Sequence, residues 1–286
     1  MLVIKDAMFW EKHGDRIRCS LCPHNCNIGE GQYGLCSVRT NIEGNLKTIN
    51  YGEITAIALD PIEKKPLYHF CPGSKILSVG SFGCNFFCGF CQNYSIAHYR
   101  AESRYFSPEE LIETCRQIDD NIGIAFTYNE PSIWYEYVCD TAKKLKEVCP
   151  QYKVVLVTNG YIQEKPLTKI LPYIDAMNID LKSFRQDYYN KICGGDIKYV
   201  LETIEKCYDK CHIEITTLLV NGLNDTVEEV ERIAVFLSSL DKNIPLHLTR
   251  YFPNYKIHRP PTDIDVMQKA RGVASKYLNY VYLGNV

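Results

Sequence analysis

The sequence has no marked excess of either charge and no long apolar run. Its 32 Lys and Arg residues against 34 Asp and Glu residues give a formal charge of −2, so bulk electrostatics favours neither nucleic acid nor an anionic membrane surface. No apolar run approaches the roughly 20 residues that a membrane-spanning helix needs. The first fifteen residues, MLVIKDAMFWEKHGD, carry acidic and basic side chains instead of a signal peptide. We therefore predict a soluble, cytoplasmic protein that binds no nucleic acid and no membrane.

Cysteine, by contrast, is abundant, with 14 in a chain of 286 residues. In a reducing compartment, grouped thiols bind metal rather than pair as disulfides. Seven of the cysteines are scattered, and we expect them to be small buried residues. The other seven form two groups, which are Cys84, Cys88 and Cys91 in SFGCNFFCGFCQN, and Cys19, Cys22, Cys26 and Cys36 in CSLCPHNCNIGEGQYGLC.

From about residue 75 onward, apolar runs alternate with helix-like stretches, which is typical of parallel βαβ units. Six such strands fit either an open doubly wound sheet or a partial barrel, and in both the chemistry belongs at the carboxyl ends of the strands. We read residues 75–286 as this core and residues 1–74 as a small Cys-rich extension, and YVYLG near the end as a further edge strand. The six predicted strands cover residues 75–81, 122–128, 152–159, 174–183, 212–220 and 244–252.

The group of Cys84, Cys88 and Cys91 follows the first of these strands directly. A structural zinc ion ordinarily takes four protein ligands, and the nearest further candidates, His98 and Cys71, do not lie at a customary spacing. A [4Fe–4S] cluster held by three cysteines instead leaves one iron open for a ligand that is not protein. The spacing therefore favours a cluster with one open iron.

The motif C-x3-C-x2-C, with an aromatic residue, Phe90, before the last cysteine, resembles the signature of the radical S-adenosylmethionine (SAM) superfamily. The resemblance implies a partial (β/α)6 barrel, a [4Fe–4S] cluster on Cys84, Cys88 and Cys91, and SAM chelated to the fourth iron. It also implies reductive cleavage of SAM by an external one-electron donor. The 5′-deoxyadenosyl radical formed in this way abstracts hydrogen from a substrate.

Other strand ends carry the same resemblance. TYNEP, at residues 127–131, ends the second strand where related enzymes have a Gly-Gly-Glu element. Glu130 and Asn129 would then contact SAM, with Tyr128 and Asn129 in place of the glycines. DLK at the end of the fourth strand matches the Asp-x-Lys element of glycyl-radical-enzyme activases, which makes Asp180 and Lys182 candidate SAM or substrate contacts.

The third and sixth predicted strands differ in the candidate side chains that they carry. Val157 in LVTNG stands where the activases often have an aspartate for the ribose, so ribose recognition must differ. HLTRYFP places His247 and Arg250 on the sixth strand, facing opposite sides if the strand is regular. We count both as candidate cofactor contacts and expect one of them to point inward. All these candidates are predicted to lie at carboxyl strand ends.

The second group, Cys19, Cys22, Cys26 and Cys36, lies among Pro, Gly and Asn residues that favour the tight turns of a metal knuckle. Four sulfurs can close a zinc site or hold a second iron–sulfur cluster, and His24 is a possible substitute for one of them. The spacing leaves zinc and a cluster as open alternatives.

CSLCPHNC, the stretch around the three-cysteine motif and YNEP together resemble the radical SAM member of the AmmeMemoRadiSam system, a group related to pyruvate formate-lyase activating enzymes. Partners of Memo and AMMECR type follow from this resemblance. Members of the group often continue past YLGNV with paired cysteines, so the chain is either a shorter form or lacks a tail. Three functions stay open, namely a radical SAM enzyme acting on a metabolite, an activase that makes a glycyl radical on a protein, and a non-catalytic iron–sulfur or zinc module.

Overall fold

The computed structural model describes residues 3–286. Its strands are β1 Lys5–Asp6, β2 Trp10–His13, β3 Arg16–Cys19, β4 Asn27–Ile28, β5 Arg39–Ile42, β6 Asn45–Thr48, β7 Glu53–Ile54, β8 Ala56–Pro61, β9 Lys75–Gly80, β10 Arg104–Tyr105, β11 Asn121–Phe126, β12 Lys153–Thr158, β13 Ala176–Asp180, β14 His212–Leu219, β15 Leu246–Arg250 and β16 Val281–Gly284. Its α-helices are α1 Tyr94–Ala97, α2 Pro108–Gln117, α3 Tyr135–Val148, α4 Glu164–Ile170, α5 Gln186–Tyr188, α6 Ile197–Cys207, α7 Val227–Leu240 and α8 Ile264–Ala274. Single turns of 3-10 helix cover Ile62–Lys64, Pro131–Ile133 and Leu171–Tyr173, and a π-helical turn covers Tyr189–Cys193.

The largest sheet has eight strands in the order β16-β15-β14-β13-β12-β11-β9-β8. Strands β9 and β11 to β16 run parallel, and β8 pairs antiparallel with β9. The six predicted strands correspond to β9 and β11 to β15, and the predicted edge run is β16. The predicted partial α/β barrel is therefore confirmed, with β8 and β16 as its two edges.

The two faces of this sheet are both apolar, as expected of parallel strands covered on both sides. Ile124 and Val154 belong to the large core outside the barrel. Ala125, Val155 and Ala176 instead pack with residues that include Leu67, from the loop that precedes β9. Because that loop enters at the amino ends of the strands, it closes this end of the barrel and leaves the carboxyl ends for a site.

Helices α2, α6, α7 and α8 begin at residues whose side chains cap them. The Ser107 side chain accepts a hydrogen bond from the Glu110 amide, and the Glu110 carboxylate accepts one from the Ser107 amide. Pro108 occupies the first turn of α2, where its missing N–H costs nothing. This reciprocal cap fixes the start of the helix that follows the first parallel strand. None of the helices in residues 3–286 is long and apolar enough to span a membrane.

The amino-terminal residues form two small sheets, with strand orders β1-β6-β5 and β2-β3-β4. In a third, β7 pairs with β10, which lies after the cluster loop at residues 104–105. Strand β8 also lies before residue 75 in the sequence, although it belongs to the barrel sheet. These residues therefore contribute to both parts of the molecule, and the division into residues 1–74 and 75–286 stays a prediction. The two amino-terminal sheets place Cys19, Cys22, Cys26 and Cys36 beside the barrel.

Candidate metal-cluster site

The three-cysteine site consists of Cys84, Cys88 and Cys91 on the cluster loop, which we define as residues 81–93. The loop follows β9 directly, at the edge of the sheet where all the parallel strands end. Cys88 is buried, and Cys84 and Cys91 are partly buried. The sequence placed these thiols at the carboxyl rim of the barrel, and the structure has them there.

The surroundings of these thiols suit the binding of a metal cluster. Burial and the neighbouring Glu130 carboxylate raise the pKa of Cys84, and burial and the neighbouring Cys88 raise the pKa of Cys91 to about 11. The Phe86 amide nitrogen, which donates, lies 3.4 Å from the Cys84 sulfur. When a metal binds thiols of this kind, it displaces their protons. The site therefore offers three poorly solvated sulfurs and a backbone donor for a bound thiolate.

Three cysteines match the ligand number of a [4Fe–4S] cluster with one open iron, whereas a structural zinc ion ordinarily takes four protein ligands. A [4Fe–4S] cluster binds each cysteine on a different iron, so its ligands stand further apart than those of one ion. The three-cysteine site fits the cluster that the motif implies.

The cluster loop is held from two other loops. The amide nitrogens of Lys256 and Ile257 donate to the Gly89 carbonyl oxygen at 2.9 and 3.0 Å, so the chain after β15 covers the loop. The Phe87 amide donates to the Cys193 carbonyl oxygen at 2.7 Å, at the end of the π-helical turn. Such turns occur frequently at functional sites.

Asn129 anchors the cluster loop, and its predicted contact with SAM stays a prediction. Its Oδ1 accepts from the Ser81 amide at 2.9 Å, and its Nδ2 donates to the carbonyl oxygens of Phe82 and Gly83 at 3.3 and 3.2 Å. The side-chain amide is thus engaged on both its oxygen and its nitrogen. The structure gives Asn129 a positioning role just before Cys84.

Glu130 is also engaged within the protein. It is buried, and its carboxylate accepts from Thr158 Oγ1 at 2.6 Å, the Asn159 amide at 2.8 Å and the Ser132 amide at 2.9 Å. Burial raises the pKa of this carboxyl, and the three donated hydrogen bonds oppose the rise. Glu130 therefore joins the ends of β11 and β12, beside Cys84.

Tyr128, which stands in place of a glycine in the Gly-Gly-Glu resemblance, has a φ of 70°, in the left-handed region that favours glycine. The ring is held by a 2.7 Å hydrogen bond from its hydroxyl to Asp60 Oδ2 and by the Lys65 ammonium 4.7 Å from its centroid. Contacts of the side chain thus hold this residue in a conformation that is uncommon for a tyrosine.

Asp180 and Lys182 lie where the sequence placed them, at the end of β13 and facing the cluster loop. Lys182 Nζ is 2.6 Å from Asp180 Oδ2 and 5.9 Å from the Phe90 ring centroid. Burial lowers the pKa of Lys182, but Asp180 and Cys88 outweigh it and raise the pKa above its ordinary value. The structure thus brings an ion pair, a buried aromatic ring and Cys88 together.

Thr216 lies next to this ion pair and was missed by sequence reasoning. It pairs with Asp180 across β13 and β14, so the two side chains share a face of the sheet. Its hydroxyl is one of the buried polar groups in residues 3–286 that have no hydrogen-bond partner. Because such a group costs free energy unless it is satisfied, this face is suited to a polar ligand.

The expectation that all candidates lie at carboxyl strand ends is wrong for His247, and the predicted cofactor contacts of His247 and Arg250 stay predictions. His247 is the second residue of β15, and its Nε2 lies 2.7 Å from Glu214 Oε2. Glu214 also accepts from the amides of Tyr68 and His69. His247 therefore points inward, but toward the closed amino end of the barrel. Arg250 does end its strand, yet its Nε donates to a loop carbonyl oxygen and its guanidinium lies over the Phe252 ring.

The second cysteine group, Cys19, Cys22, Cys26 and Cys36, is the four-cysteine site. All four side chains line one cavity of about 10 Å³, together with His24 and Arg39. Arg39 Nη1 lies 3.8 Å from the Cys19 sulfur, and the Leu35 amide lies 3.5 Å from the Cys26 sulfur. The predicted grouping in sequence is therefore a grouping in space, with a cation and an N–H donor directed at sulfur.

Two further residues at the three-cysteine site escaped sequence reasoning. Asn159, in the quoted LVTNG, has its Nδ2 3.8 Å from the Cys84 sulfur and 2.8 Å from Asn85 Oδ1, and the signal was its place at a strand end. Cys193 was classed with the scattered cysteines. It is fully buried, and together with burial its thiol raises the pKa of Cys88. No local spacing could reveal it, because 102 positions separate it from Cys91.

A partial α/β barrel with three cysteines on the loop after its first parallel strand, and polar residues on the same rim, defines a barrel enzyme built around a metal cluster. Comparison with known proteins gives the family. The model of the radical SAM superfamily matches residues 78–237, and the chain belongs to that superfamily. Membership implies a [4Fe–4S] cluster and SAM as cofactors.

Individual relatives agree with this placement. The chain is 41% identical to the uncharacterized protein MJ0808 of Methanocaldococcus jannaschii, over 99% of this chain and 86% of that protein. It is 28% identical to the putative glycyl-radical enzyme activating enzyme MJ1632 of the same organism, over 72% of this chain and 79% of that protein. Streptococcus suis SuiB bound to S-adenosylmethionine shares the fold, with a TM-score of 0.58 and 13% identity over 73% of this chain and 51% of that chain.

Proposed function

We propose that Cys84, Cys88 and Cys91 hold the [4Fe–4S] cluster of a radical SAM enzyme and leave its fourth iron to SAM. The observation that carries this proposal is the position of the three thiols, on one loop at the carboxyl rim and facing the Asp180–Lys182 pair. The Phe86 amide and the Asn159 side chain supply N–H groups near the Cys84 sulfur. Such donors stabilise bound thiolates and tune the potential of a cluster.

A reduced cluster held by these cysteines would supply the electron for cleavage of SAM, which would give methionine and a 5′-deoxyadenosyl radical able to take hydrogen from a substrate. The chain's own residues position and shield the reactants. Phe90 is buried beside Lys182 and excludes water from the rim. Lys182 and Asp180 are partly exposed and can contact the charged groups or the ribose of SAM. Asn129 and Glu130 act behind them by fixing the loop and the strand ends.

The proposal is tested by anaerobic reconstitution with iron and sulfide. We expect about four irons at the three-cysteine site, an electron paramagnetic resonance (EPR) signal after dithionite reduction, and a change of that signal when SAM is added. Cys211→Ala is the matched control, since Cys211 belongs to the scattered group and lies just before the amino end of β14. A SAM-dependent change of the signal that survives in Cys84→Ala, or a wild-type signal that SAM leaves unchanged, contradicts the proposal. A signal that survives in Cys84→Ala and does not respond to SAM reports a cluster at the four-cysteine site.

We also propose that the four-cysteine site binds a thiophilic metal centre, either zinc or a second iron–sulfur cluster. Its support is the shared cavity and the donors near the sulfurs of Cys19 and Cys26. Metal analysis of a variant that lacks the three-cysteine site separates the two. About one zinc with no iron identifies a zinc site, and iron with sulfide identifies a cluster.

A second candidate function is activation of a glycyl radical enzyme. It is favoured by the relative MJ1632, which carries the name of a putative activating enzyme, and by a barrel sheet that is not closed, since β8 and β16 do not pair with each other. Incubation with a glycyl radical enzyme, SAM and reductant then produces a glycine-centred EPR signal. Silence of that signal with efficient SAM cleavage favours a metabolite-sized substrate.

Partners of Memo and AMMECR type belong to the same set of proposals. Their support is the resemblance of CSLCPHNC, the cluster loop and YNEP to the AmmeMemoRadiSam group. Size-exclusion chromatography of the reconstituted protein with purified Memo-type and AMMECR-type proteins tests it. Co-elution supports the partnership, and separate elution at micromolar concentrations contradicts it.

A further inference from the structure

The four-cysteine site touches the cluster loop on both sides of Cys84. His24 Nε2 lies 2.7 Å from the carbonyl oxygen of Asn85, which follows Cys84. Gly83, which precedes Cys84, is so close to the other end of the same site that a Cβ atom there would lie 2.8 Å from the Cys36 carbonyl oxygen. The residues on both sides of Cys84, one of the three proposed cluster ligands, therefore lie against the four-cysteine site.

The contact at Asn85 is part of a closed network. Asn85 is fully buried, its Nδ2 donates to the Tyr161 carbonyl oxygen at 2.8 Å, and its Oδ1 accepts from Asn159 Nδ2 at 2.8 Å. The same Asn159 nitrogen points at the Cys84 sulfur. Because the side chain of Asn85 is already engaged, its carbonyl is the group through which His24 acts. A shift of His24 therefore displaces Asn85 and, with it, the donor near Cys84.

The position of His24 depends in turn on the four-cysteine site. His24 lies between Cys22 and Cys26, in a segment whose regular structure between β3 and β5 is the two-residue strand β4. The His24 ring also packs edge-on against Tyr161, with centroids 5.1 Å apart. A metal bound by the cysteines on either side of His24 fixes this short segment, as structural metal sites do in small loops.

We propose that the four-cysteine site is a metal-dependent clamp on the catalytic cluster, in which His24 acts as a positioning residue that holds Asn85 and thereby Cys84. This rests on the proposed assignment of the cluster to Cys84, Cys88 and Cys91. Either zinc or an iron–sulfur cluster serves, because the clamp needs fixed cysteines and not electrons. Loss of the metal frees His24, and the three-cysteine site then binds its cluster less completely.

The first experiment compares His24→Leu, which removes the donor, with His24→Gln, which keeps an N–H group, and with the control His13→Leu on the exposed end of β2. Each full-length variant is reconstituted with limiting iron and sulfide. We expect His24→Leu to retain at most about one third of the control's iron at the three-cysteine site, with an altered EPR spectrum, and His24→Gln to recover most of both. Equal iron and identical spectra in His24→Leu and His13→Leu overturn the proposal.

The second experiment uses a protein without the catalytic cluster and with His24 intact, so its result does not depend on whether the His24 variants fold. In the variant Cys84→Ala/Cys88→Ala/Cys91→Ala, hydrogen exchange of residues 81–93 is measured with the four-cysteine site loaded by zinc or by iron and sulfide, and again after chelation. We expect exchange to be at least about tenfold slower in the loaded protein. Equal exchange rates in the loaded and chelated protein, or no metal bound at the four-cysteine site, overturn the clamp. If only the proposed function is wrong, the three-cysteine site of the wild type binds no cluster.

Discussion

Gly83→Ala tests the packing of the four-cysteine segment against the cluster loop from the side opposite to His24. Gly83 has a φ of 90°, and an added Cβ would lie 2.6 Å from Val38 Cγ1 and 2.8 Å from the Cys36 carbonyl oxygen. The left-handed backbone costs an L-residue about 1–2 kcal/mol, and forcing a methyl group into packed surroundings adds about 1–3 kcal/mol. We expect a loss of about 2–5 kcal/mol in the free energy of unfolding.

Gly14→Ala is the matched control, because Gly14 has a φ of 64° and no atom within 4 Å of an added Cβ. It carries the backbone cost alone, so we expect a loss of about 1–2 kcal/mol. Urea unfolding of both metal-free variants measures the difference in their free energies of unfolding. Iron per chain after reconstitution shows whether the substitution at Gly83 also weakens cluster binding at the three-cysteine site. Equal stability and equal iron in the two variants would refute the close contact between Gly83 and Cys36.

Three other perturbations test separate parts of the structure. Lys182→Met removes the cation near Cys88. We expect SAM to bind about tenfold more weakly in anaerobic equilibrium titrations, since a charged hydrogen bond contributes about 1.5 kcal/mol. An unchanged affinity contradicts the proposed contact between Lys182 and SAM. Burial of Glu214 opposes ionisation, yet hydrogen bonds from two histidines and two amides lower its pKa to about 2. About 3 kcal/mol of stability is therefore present above the unfolded pKa of this carboxyl and is lost as the pH falls toward 2. Glu214→Gln should lack this loss when unfolding is measured in acid. Arg39→Met leaves the Glu136 carboxylate buried and unpaired, which should cost about 3–5 kcal/mol in urea unfolding, and full stability in the single variant contradicts this.

The barrel and its cluster loop could be predicted because their signals are local. Each parallel strand is a short apolar run between turn residues, and the cysteines of the three-cysteine site lie within eight positions. Both the strand order and the rim position of the loop then follow from general rules for parallel sheets. The capped start of α2 at Ser107 was predictable for the same reason.

What the sequence could not supply were partners distant in the chain. The carboxylate of Glu130 accepts from Thr158 and Asn159, 28 and 29 positions away, which no local pattern indicated. The inward direction of His247 agreed with strand alternation, whereas its height in the barrel is set by Glu214 on the neighbouring strand. His24 and Asn85 meet across 61 positions. The contact of His24 with Asn85 depends on how the amino-terminal sheets pack against the barrel, and the other two depend on which strand ends become neighbours. Neither is specified by a local sequence pattern.

The central claim is that this chain cleaves SAM at a cluster on Cys84, Cys88 and Cys91. Its most direct test is the anaerobic formation of 5′-deoxyadenosine and methionine, measured by liquid chromatography and mass spectrometry after dithionite reduction of the reconstituted protein. We predict the two products in equal amounts from the wild type and from Cys211→Ala, and none above background from Cys88→Ala. Background levels in the wild type, or equal product from Cys88→Ala, would contradict the claim.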